Sequence, residues 1–324
     1  KKELNMRNRF VENLIKYCEK KKNVYLLTGD LGFSVLEPFI EKNPKNFFNM
    51  GVAEQNMMGV ASGLALEGNK VFTYSISNFA TSRCHEQIRN DICYHNLDVT
   101  VVAVGGGLPY GTHGYTHHGI EDITIIRCLP NMTVYVPADR FELEFCFNKI
   151  IKNKSPKYLR LAKGGEPDLY NKKIATKGNI IEHQKLSEIN ILSCGSILGE
   201  AIECSNHFKN KGIKVGLFSC PVVSPESIPE LKKLLSKGKT FITVEEHKKL
   251  GGFGSFVSEV SVALKKPARI ISCGVLSDGY NLVGSQKYLR SLHGIDGVGP
   301  VSYTHLRAHE TKANRGCRLL REKK

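Results

Sequence analysis

Residues 50–57 read Met-Gly-Val-Ala-Glu-Gln-Asn-Met, and this stretch joins a predicted strand to a predicted helix. The four residues before it, Asn-Phe-Phe-Asn at 46–49, have the composition of a short buried strand. Apolar residues after it recur at helical spacing: Met57, Met58, Val60, Ala61, Leu64 and Leu66. Glu54 therefore lies near a helix N-terminus, where backbone N–H groups and the helix dipole favour a carboxylate. Taken alone, this position indicates only a first-turn glutamate that stabilises its helix.

Length and composition restrict the class of protein. The chain has 324 residues, 41% of them hydrophobic, which allows two domains of ordinary size. No apolar run approaches the roughly 18–20 residues of a membrane span, and the N-terminus lacks the apolar core of a signal peptide. The ten cysteines stand at irregular spacings without a Cys-x-x-Cys pair, which favours reduced thiols over disulfides or a zinc site. We therefore expect a cytoplasmic protein that does not associate with the membrane.

The net charge of +15 raises the question of nucleic-acid binding. The lysines, however, are dispersed over predicted helix faces, as at 19–22 and 231–237, and such runs are usually solvated surface. Positive charge of this kind serves better to attract phosphorylated ligands. We therefore expect no nucleic-acid partner.

Strand-like and helix-like runs alternate along the chain, which predicts α/β layers with mostly parallel sheets. Predicted strands are 24–28, 71–75, 99–104, 133–137 and 158–161, followed by 189–193, 215–219, 241–245 and 269–272. Predicted helices are 7–19, 55–66 and 79–94, followed by helices near 197–211, 225–236 and 254–264. The pattern predicts two doubly wound domains at 6–165 and 186–297, joined by a Gly- and Pro-containing polar linker at 166–185.

The last stretch, 298–324, breaks this pattern. Residues 301–324 hold seven Lys or Arg and two acidic residues, and they show no clear apolar stripe. The stretch resembles translated adapter sequence at the end of an assembled reading frame. We expect that it replaces a true C-terminus, and we assign it no function.

Four motifs together resemble the transketolase family. They are Gly-Val-Ala-Glu-Gln-Asn-Met at 51–57, Thr-His-His-Gly-Ile-Glu-Asp at 116–122, Leu-Pro-Asn-Met at 129–132 and Val-Pro-Ala-Asp at 136–139. The resemblance runs over about 6–297 and covers the pyrimidine-binding and C-terminal domains of that family. A single short motif would be weak, whereas four in the family's order and approximate spacing are specific.

The resemblance implies that the family's first domain is missing. That domain carries a Gly-Asp-Gly motif and holds Mg²⁺ and the diphosphate of thiamine diphosphate; here Gly-Asp-Leu-Gly at 29–32 is the nearest approach. The chain thus resembles the C-terminal subunit of a split transketolase. It is expected to need an N-terminal-type subunit, which would hold Mg²⁺, and to assemble as two copies of each. The implied substrates are sugar phosphates.

The resemblance also assigns the cofactor's pyrimidine ring to this chain. Glu54 matches the glutamate that hydrogen-bonds N1′ of the aminopyrimidine and passes a proton there. The ring needs an aromatic surface, which the family places after the strand that begins at Val71. Phe79 is the first choice and Tyr74 the second; either could equally be a core aromatic at a strand end.

A glycine- and histidine-rich segment, residues 111–118, follows the predicted strand 99–104 and is called the histidine loop. Three histidines suggest metal binding, but the interruptions leave no helical ligand face and no established metal spacing fits, so no metal site is expected. The resemblance aligns His117 with a histidine that binds donor-sugar hydroxyls, with His118 a plausible second. His113 stands where many transketolases carry an acidic residue, so recognition of those hydroxyls is expected to differ.

Two cations are candidates for binding a substrate phosphate. Arg83 resembles a phosphate-binding arginine on the helix that follows the candidate stacking residue Phe79. Lys163 stands where relatives often carry arginine. A lysine binds phosphate as a point charge without the bidentate fork of arginine. Either could equally be a surface cation.

The sequence therefore predicts an enzyme subunit that transfers a two-carbon ketol unit from a ketose to an aldose. A deoxyxylulose-phosphate synthase-like subunit or a 2-oxo-acid dehydrogenase β subunit is an alternative within the same chemistry. A non-catalytic regulatory paralogue is the alternative from another class. The segment from Val244 to Gly254, which contains Glu-Glu-His and several glycines, is interpreted as structural.

Overall fold

The computed structural model describes residues 5–170, 178–278 and 280–301. Its first domain is built on a six-stranded parallel sheet in the order β2-β1-β3-β4-β6-β5. The strands are β1 Val24–Thr28, β2 Phe47–Asn49, β3 Lys70–Ile76, β4 Val99–Val104, β5 Thr133–Tyr135 and β6 Lys157–Leu161. The helices are α1 Met6–Lys20, α2 Glu37–Lys42, α3 Glu54–Leu66, α4 Ser77–Thr81, α5 His85–Gln87, α6 Asp122–Arg127 and α7 Arg140–Ile150.

Helices cover both faces of this sheet. The apolar sides of α1 and α7 pack on one face, against residues such as Leu26 and Phe72. Helices α3 and α6 pack on the other, against residues such as Leu27 and Val101. Because both faces are covered, β4 is buried along its whole length, as expected for a central parallel strand.

The second domain repeats this design on a five-stranded sheet in the order β11-β10-β8-β9-β7, in which only β7 is antiparallel. The strands are β7 Ile181–Gln184, β8 Ile189–Ser193, β9 Val215–Ser219, β10 Thr240–Lys248 and β11 Arg269–Val275. The helices are α8 Leu198–Asn210, α9 Ile228–Leu235, α10 Phe253–Val262 and α11 Gln286–Leu292. The predicted fold class, two doubly wound and mostly parallel α/β domains, is confirmed.

Two predicted segments differ from the structure. Strand β7 lies inside the interval 166–185 that was predicted to be linker, so the second sheet begins before residue 186; residues 171–177 lie outside the described part. The single helix predicted at 79–94 is divided into α4, α5 and a π-helical segment, Ile88–Cys93. The division falls where Cys84 leaves helical dihedral angles, at φ −123° and ψ 27°.

At the C-terminal end of the described residues, Val301 is buried in the apolar cluster that α8 forms with the second sheet. The rest of the predicted non-native stretch, 302–324, lies outside the described residues. No helix among residues 5–170, 178–278 and 280–301 combines the length and apolar composition of a bilayer span.

Candidate active site

Glu54 is the first residue of α3, one position before the predicted start of the helix and in agreement with its predicted place near a helix N-terminus. The turn before it is held by Asn49, whose Oδ1 accepts hydrogen bonds from the backbone N–H groups of Asp30 (3.1 Å) and Gly51 (3.0 Å). Gly51 has φ +68°, a conformation that favours glycine, and its carbonyl accepts from the N–H of Ala53 at 2.8 Å. The residues that follow β1 and β2 are therefore held together, and they fix the position of Glu54 at the start of α3.

The carboxylate of Glu54 is buried and fully engaged. The residue is 1% exposed, its Oε1 accepts from the Ser75 hydroxyl at 3.2 Å, and its Oε2 accepts from Nη1 of Arg83 at 2.8 Å. A Cβ on Gly29 would lie 3.2 Å from Oε1, so the glycine gives the carboxylate room. A buried carboxylate is tolerated only when paired and hydrogen-bonded, and Arg83 supplies the pairing charge.

An unbroken series of contacts leads from Glu54 along the carboxyl edge of the first sheet. The Arg83 guanidinium lies over the Phe79 ring, with Cζ 4.3 Å from the ring centroid. The ring centroids of Phe79 and His117 are 5.2 Å apart, and those of His117 and Tyr110 are 6.2 Å apart. We call this series, which ends at Lys163, the site row; its members are Glu54, Arg83, Phe79, His117, Tyr110 and Lys163.

Lys163 completes the site row from the end of β6. Its Nζ lies 4.4 Å from the centroid of the Tyr110 ring, and the side chain lines a cavity of about 120 Å³ together with Arg290. Gly105, at φ +74°, allows the ring to lie there, because a Cβ at this position would be 2.1 Å from it. Glu166 lines the same cavity and Arg290 is already paired with Glu200 and Glu246, so of these two cations Lys163 is the one placed to meet an anionic ligand.

Hydrogen bonds hold the histidine loop against α4, and another joins two residues of the loop. Nδ2 of Asn78 donates to the carbonyl groups of Tyr115 (3.5 Å) and Thr116 (3.2 Å). His118 is 1% exposed, and its Nε2 lies 3.3 Å from the Gly111 carbonyl oxygen. This burial favours holding the loop over contact with a substrate for His118.

His117, by contrast, is only half-buried and turns its ring toward Phe79. Partial burial, together with neighbouring His113 and His118, lowers the pKa of His117 below its ordinary value of 6.5. The ring centroids of His113 and His117 are 5.0 Å apart. A neutral imidazole of this kind can donate one hydrogen bond and accept another.

Tyr74 is not brought to the site row. It precedes Ser75 on β3, so its side chain points to the opposite face of the sheet from the hydroxyl that contacts Glu54. The ring is 1% exposed and stacks on Phe10 of α1, with centroids 6.2 Å apart. This packing argues against a stacking role for Tyr74 and favours Phe79.

The sequence reasoning missed a buried polar cluster behind the histidine loop. Asp122 accepts from the Tyr158 hydroxyl at 2.6 Å and from Nε of Arg160 at 2.7 Å. Arg160 Nη2 also donates to the carbonyl groups of Gly119 (2.7 Å) and Glu246 (3.1 Å). Asp122 stood in the quoted motif at 116–122, but nothing local pointed to Arg160 as its partner.

The Glu-Glu-His segment of β10 supports the fold, which agrees with the structural interpretation. Glu245 accepts from the N–H groups of Phe253 (2.6 Å) and Gly254 (2.8 Å) and so caps α10. Glu246 accepts from the N–H of Leu108 at 3.2 Å and from Nη2 of Arg290 at 2.7 Å. The segment thus joins the two domains close to the site row.

Comparison with known proteins agrees with this geometry. The family described as transketolase, pyrimidine binding domain, matches residues 2–166, and transketolase, C-terminal domain, matches residues 178–296. The chain therefore belongs to the transketolase family.

Its relatives include subunits of divided enzymes. It is 33% identical to a subunit of an apulose-4-phosphate transketolase from Actinobacillus succinogenes, over 81% of this chain and 84% of that protein. It is 29% identical to a 6-deoxy-6-sulfo-D-fructose transketolase subunit of a Clostridium species, over 93% of each. A solved structure described as a split gene transketolase, inactive beta4 tetramer, superposes with TM-score 0.81 at 29% identity, over 93% of this chain and 96% of that chain.

The transketolase family generally uses thiamine diphosphate, and the residues present fit its pyrimidine half. An aminopyrimidine is a planar ring with hydrogen-bonding nitrogens. Glu54 offers a fixed carboxylate and Phe79 an aromatic face, and the planar guanidinium of Arg83 already contacts both groups. The site thus accommodates a flat nitrogen-containing group between carboxylate and ring.

Proposed function

We propose that the chain is the C-terminal subunit of a split, thiamine-diphosphate-dependent transketolase. The complete enzyme would transfer a two-carbon ketol unit from a ketose phosphate to an aldose acceptor. The observation that carries this proposal is the site row, in which a buried carboxylate, an aromatic ring, a histidine and a lysine follow one another along one sheet edge. The relatives named as subunits of transketolases support the same conclusion.

The cofactor would be shared between two kinds of subunit. Glu54 and Phe79 would hold its pyrimidine half. An N-terminal-type subunit would hold Mg²⁺ and the diphosphate, because Leu31 stands here in place of the second glycine of the motif that binds them. Two copies of each subunit are expected in the complex. Thiamine diphosphate, when bound, supplies the carbon nucleophile that opens the ketose between C2 and C3.

The residues of this chain would position the reactants and move protons. Glu54 would hold a proton at N1′ of the pyrimidine, while Phe79 stacks on the ring. His117, neutral near pH 7 because its pKa is lowered, would exchange hydrogen bonds with the sugar hydroxyls. Arg83 and Lys163 would attract the substrate phosphate.

The test is a reconstituted complex of this chain with candidate N-terminal-type subunits, assayed with ketose phosphate donors and aldose acceptors. General acid–base help of this kind is commonly worth about 10²–10⁴-fold in rate. Glu54→Gln should therefore remove nearly all turnover while the subunits still assemble. A Glu54→Gln complex that kept more than about a tenth of the wild-type rate would contradict the role of Glu54.

The same complex separates the alternatives. Turnover of a 2-oxo acid without ketose turnover would favour a deoxyxylulose-phosphate synthase-like or 2-oxo-acid dehydrogenase-like subunit. Assembly with a partner without any binding of thiamine diphosphate would favour a regulatory paralogue.

A further inference from the structure

Arg83 covers both groups that the proposed function assigns to the pyrimidine ring. Its Nη1 donates to Oε2 of Glu54 at 2.8 Å, and its Cζ lies 4.3 Å from the centroid of the Phe79 ring. The Arg83 side chain is 42% exposed, whereas the Glu54 side chain beneath it is 1% exposed. The guanidinium is therefore the outermost part of the contact, and the carboxylate lies behind it.

A pyrimidine ring and this guanidinium compete for the same place. Both are planar, both would stack on the face of Phe79, and both would hydrogen-bond the carboxylate of Glu54. The remaining carboxylate oxygen, Oε1, is engaged by Ser75 at 3.2 Å and faces Gly29. A ring that approaches Glu54 from the solvent side therefore meets first the oxygen that Arg83 holds.

We propose that Arg83 closes the pyrimidine site by pairing with Glu54, and that a pyrimidine-bearing cofactor binds only by displacing this side chain. The inference rests on the proposed function, since it assigns the same carboxylate and ring to the cofactor. It adds that a side chain of the same subunit, Arg83, competes with the cofactor for the pyrimidine site.

The exchange is physically feasible because it replaces one partner of the buried carboxylate with another. Leaving a buried acceptor without a partner is costly, and the ring would supply a hydrogen bond in place of the one lost, so the exchange costs only the difference between a charge-assisted and an ordinary hydrogen bond. Arg83 lies in the interruption between α4 and α5 with its head group near solvent, so its side chain can leave without unfolding a helix. The displaced guanidinium is then free to attract the substrate phosphate, so the cofactor would bind before the phosphorylated substrate.

The test uses the full chain and one probe, 4-amino-2,5-dimethylpyrimidine, which carries neither thiazolium nor diphosphate. Binding is measured by ligand-observed NMR titration for the wild type, Arg83→Ala, Arg89→Ala and Glu54→Gln. Arg89 is an exposed arginine six residues along the same segment whose Nη1 bonds Asn90 at 2.7 Å, so its removal is a matched loss of charge.

Arg83→Ala should bind the probe about tenfold more tightly, since displacing a charge-assisted hydrogen bond weakens binding by about that factor. Arg89→Ala should bind as the wild type does, and Glu54→Gln should lose binding. Arg83→Lys keeps the charge but loses the planar group over Phe79, so its affinity for the probe should lie between those of the wild type and Arg83→Ala.

Failure of the inference and failure of the proposed function give different results. Equal or weaker binding by Arg83→Ala, together with loss of binding in Glu54→Gln, would overturn the displacement and leave the pyrimidine site standing. Equal tightening by Arg83→Ala and Arg89→Ala would reduce the effect to net charge and also overturn it. Binding unaffected by Glu54→Gln, or no binding by any of the chains, would overturn the pyrimidine site and the displacement together.

Discussion

The ion pair between Asp122 and Arg160 should be a main determinant of stability, because it joins the segment after the histidine loop to β6 and to β10 of the second domain. Nε and Nη2 of Arg160 donate to the two carboxylate oxygens of Asp122 at 2.7 and 3.2 Å. The two side chains are 0% exposed for Asp122 and 6% exposed for Arg160. Through Nη2 the same guanidinium also contacts the carbonyl groups of Gly119 and Glu246. We predict that Arg160→Met strongly destabilises the chain.

The size of the effect follows from burial. Removing one member of a buried pair costs about 3–5 kcal/mol, because the other charge stays behind without compensation. At about 2–4 °C per kcal/mol for larger domains, the melting temperature should fall by about 6–20 °C. The double variant Asp122→Asn/Arg160→Met should recover part of this loss, because neither charge then remains.

The destabilisation should also depend on pH. Burial raises the pKa of Asp122, but Arg160, His247 and Tyr158 outweigh it and hold the pKa below its ordinary value of 3.8. In the wild type this carboxylate stabilises the fold above the pKa of the unfolded chain, and the contribution is lost as pH falls through the folded-state pKa. Without Arg160, burial dominates and raises the pKa, so the variant's deficit should be larger at pH 8 than at pH 5.

The destabilisation is measured by thermal unfolding of the full chain at pH 5 and at pH 8, monitored by circular dichroism. Arg127→Met is the matched control, because Arg127 also donates two hydrogen bonds to one carboxylate, that of Glu259 at 2.6 and 3.0 Å, but Glu259 is 57% exposed. Exposed pairs typically contribute about 0–1 kcal/mol. If Arg160→Met melted no lower than Arg127→Met, the argument from the buried charge would be refuted.

Three further predictions concern other groups. Lys157 and Lys70 both contact Oδ1 of Asp98. Burial of Lys157 and, to a smaller extent, the charge of Lys70 lower the pKa of Lys157 to about 7 despite Asp98. The unfolded chain therefore binds more protons above that pH, so the melting temperature of the wild type relative to Lys157→Met should rise from about pH 7 upward; a constant difference between pH 6 and 9 would contradict this. Lys163→Ala should raise KM for a phosphorylated substrate by about tenfold with kcat unchanged, and an equal change for the unphosphorylated sugar would remove its phosphate role. Asn78→Ala should accelerate amide hydrogen exchange in the histidine loop by about fivefold, from the loss of about 1 kcal/mol of hydrogen bonding, with α3 unaffected.

Local sequence patterns located the central strands well. The predicted bounds of β1, β4, β8 and β9 agree with the structure, because these strands are runs of apolar residues between polar or turn-forming neighbours. Central parallel strands are buried on both faces, so their composition alone marks them.

The sequence pattern did not predict strand β7, and the cause is physical. It is an antiparallel edge strand that reads Ile-Glu-His-Gln, and only Ile181 of its four residues is buried. A polar edge strand of this kind has no composition that separates it from a linker. Its pairing with β9 is set by tertiary structure, which a local pattern does not contain.

The site required the strand order as well as the motifs. Because β3 lies between β1 and β4, and β6 follows β4, the segments that leave these strands meet at one edge of the sheet. Glu54 and Arg83 meet across 29 positions of sequence, and Arg160 meets the Glu246 carbonyl across 86. The sequence could therefore nominate five members of the site row one at a time, but it did not nominate Tyr110 and could not show which of the members touch.

The choice between the two candidate aromatic residues illustrates the difference. Sequence reasoning could not exclude Tyr74, because both candidates follow the start of the same strand. The alternation of side chains along β3 separates them, since Ser75 faces Glu54 and the preceding Tyr74 must face α1. Phe79 escapes this alternation because it lies beyond the strand, on α4, where the chain turns across the sheet edge toward His117. The choice between the two candidates thus depends on where a strand ends, one of the least certain features of any local pattern.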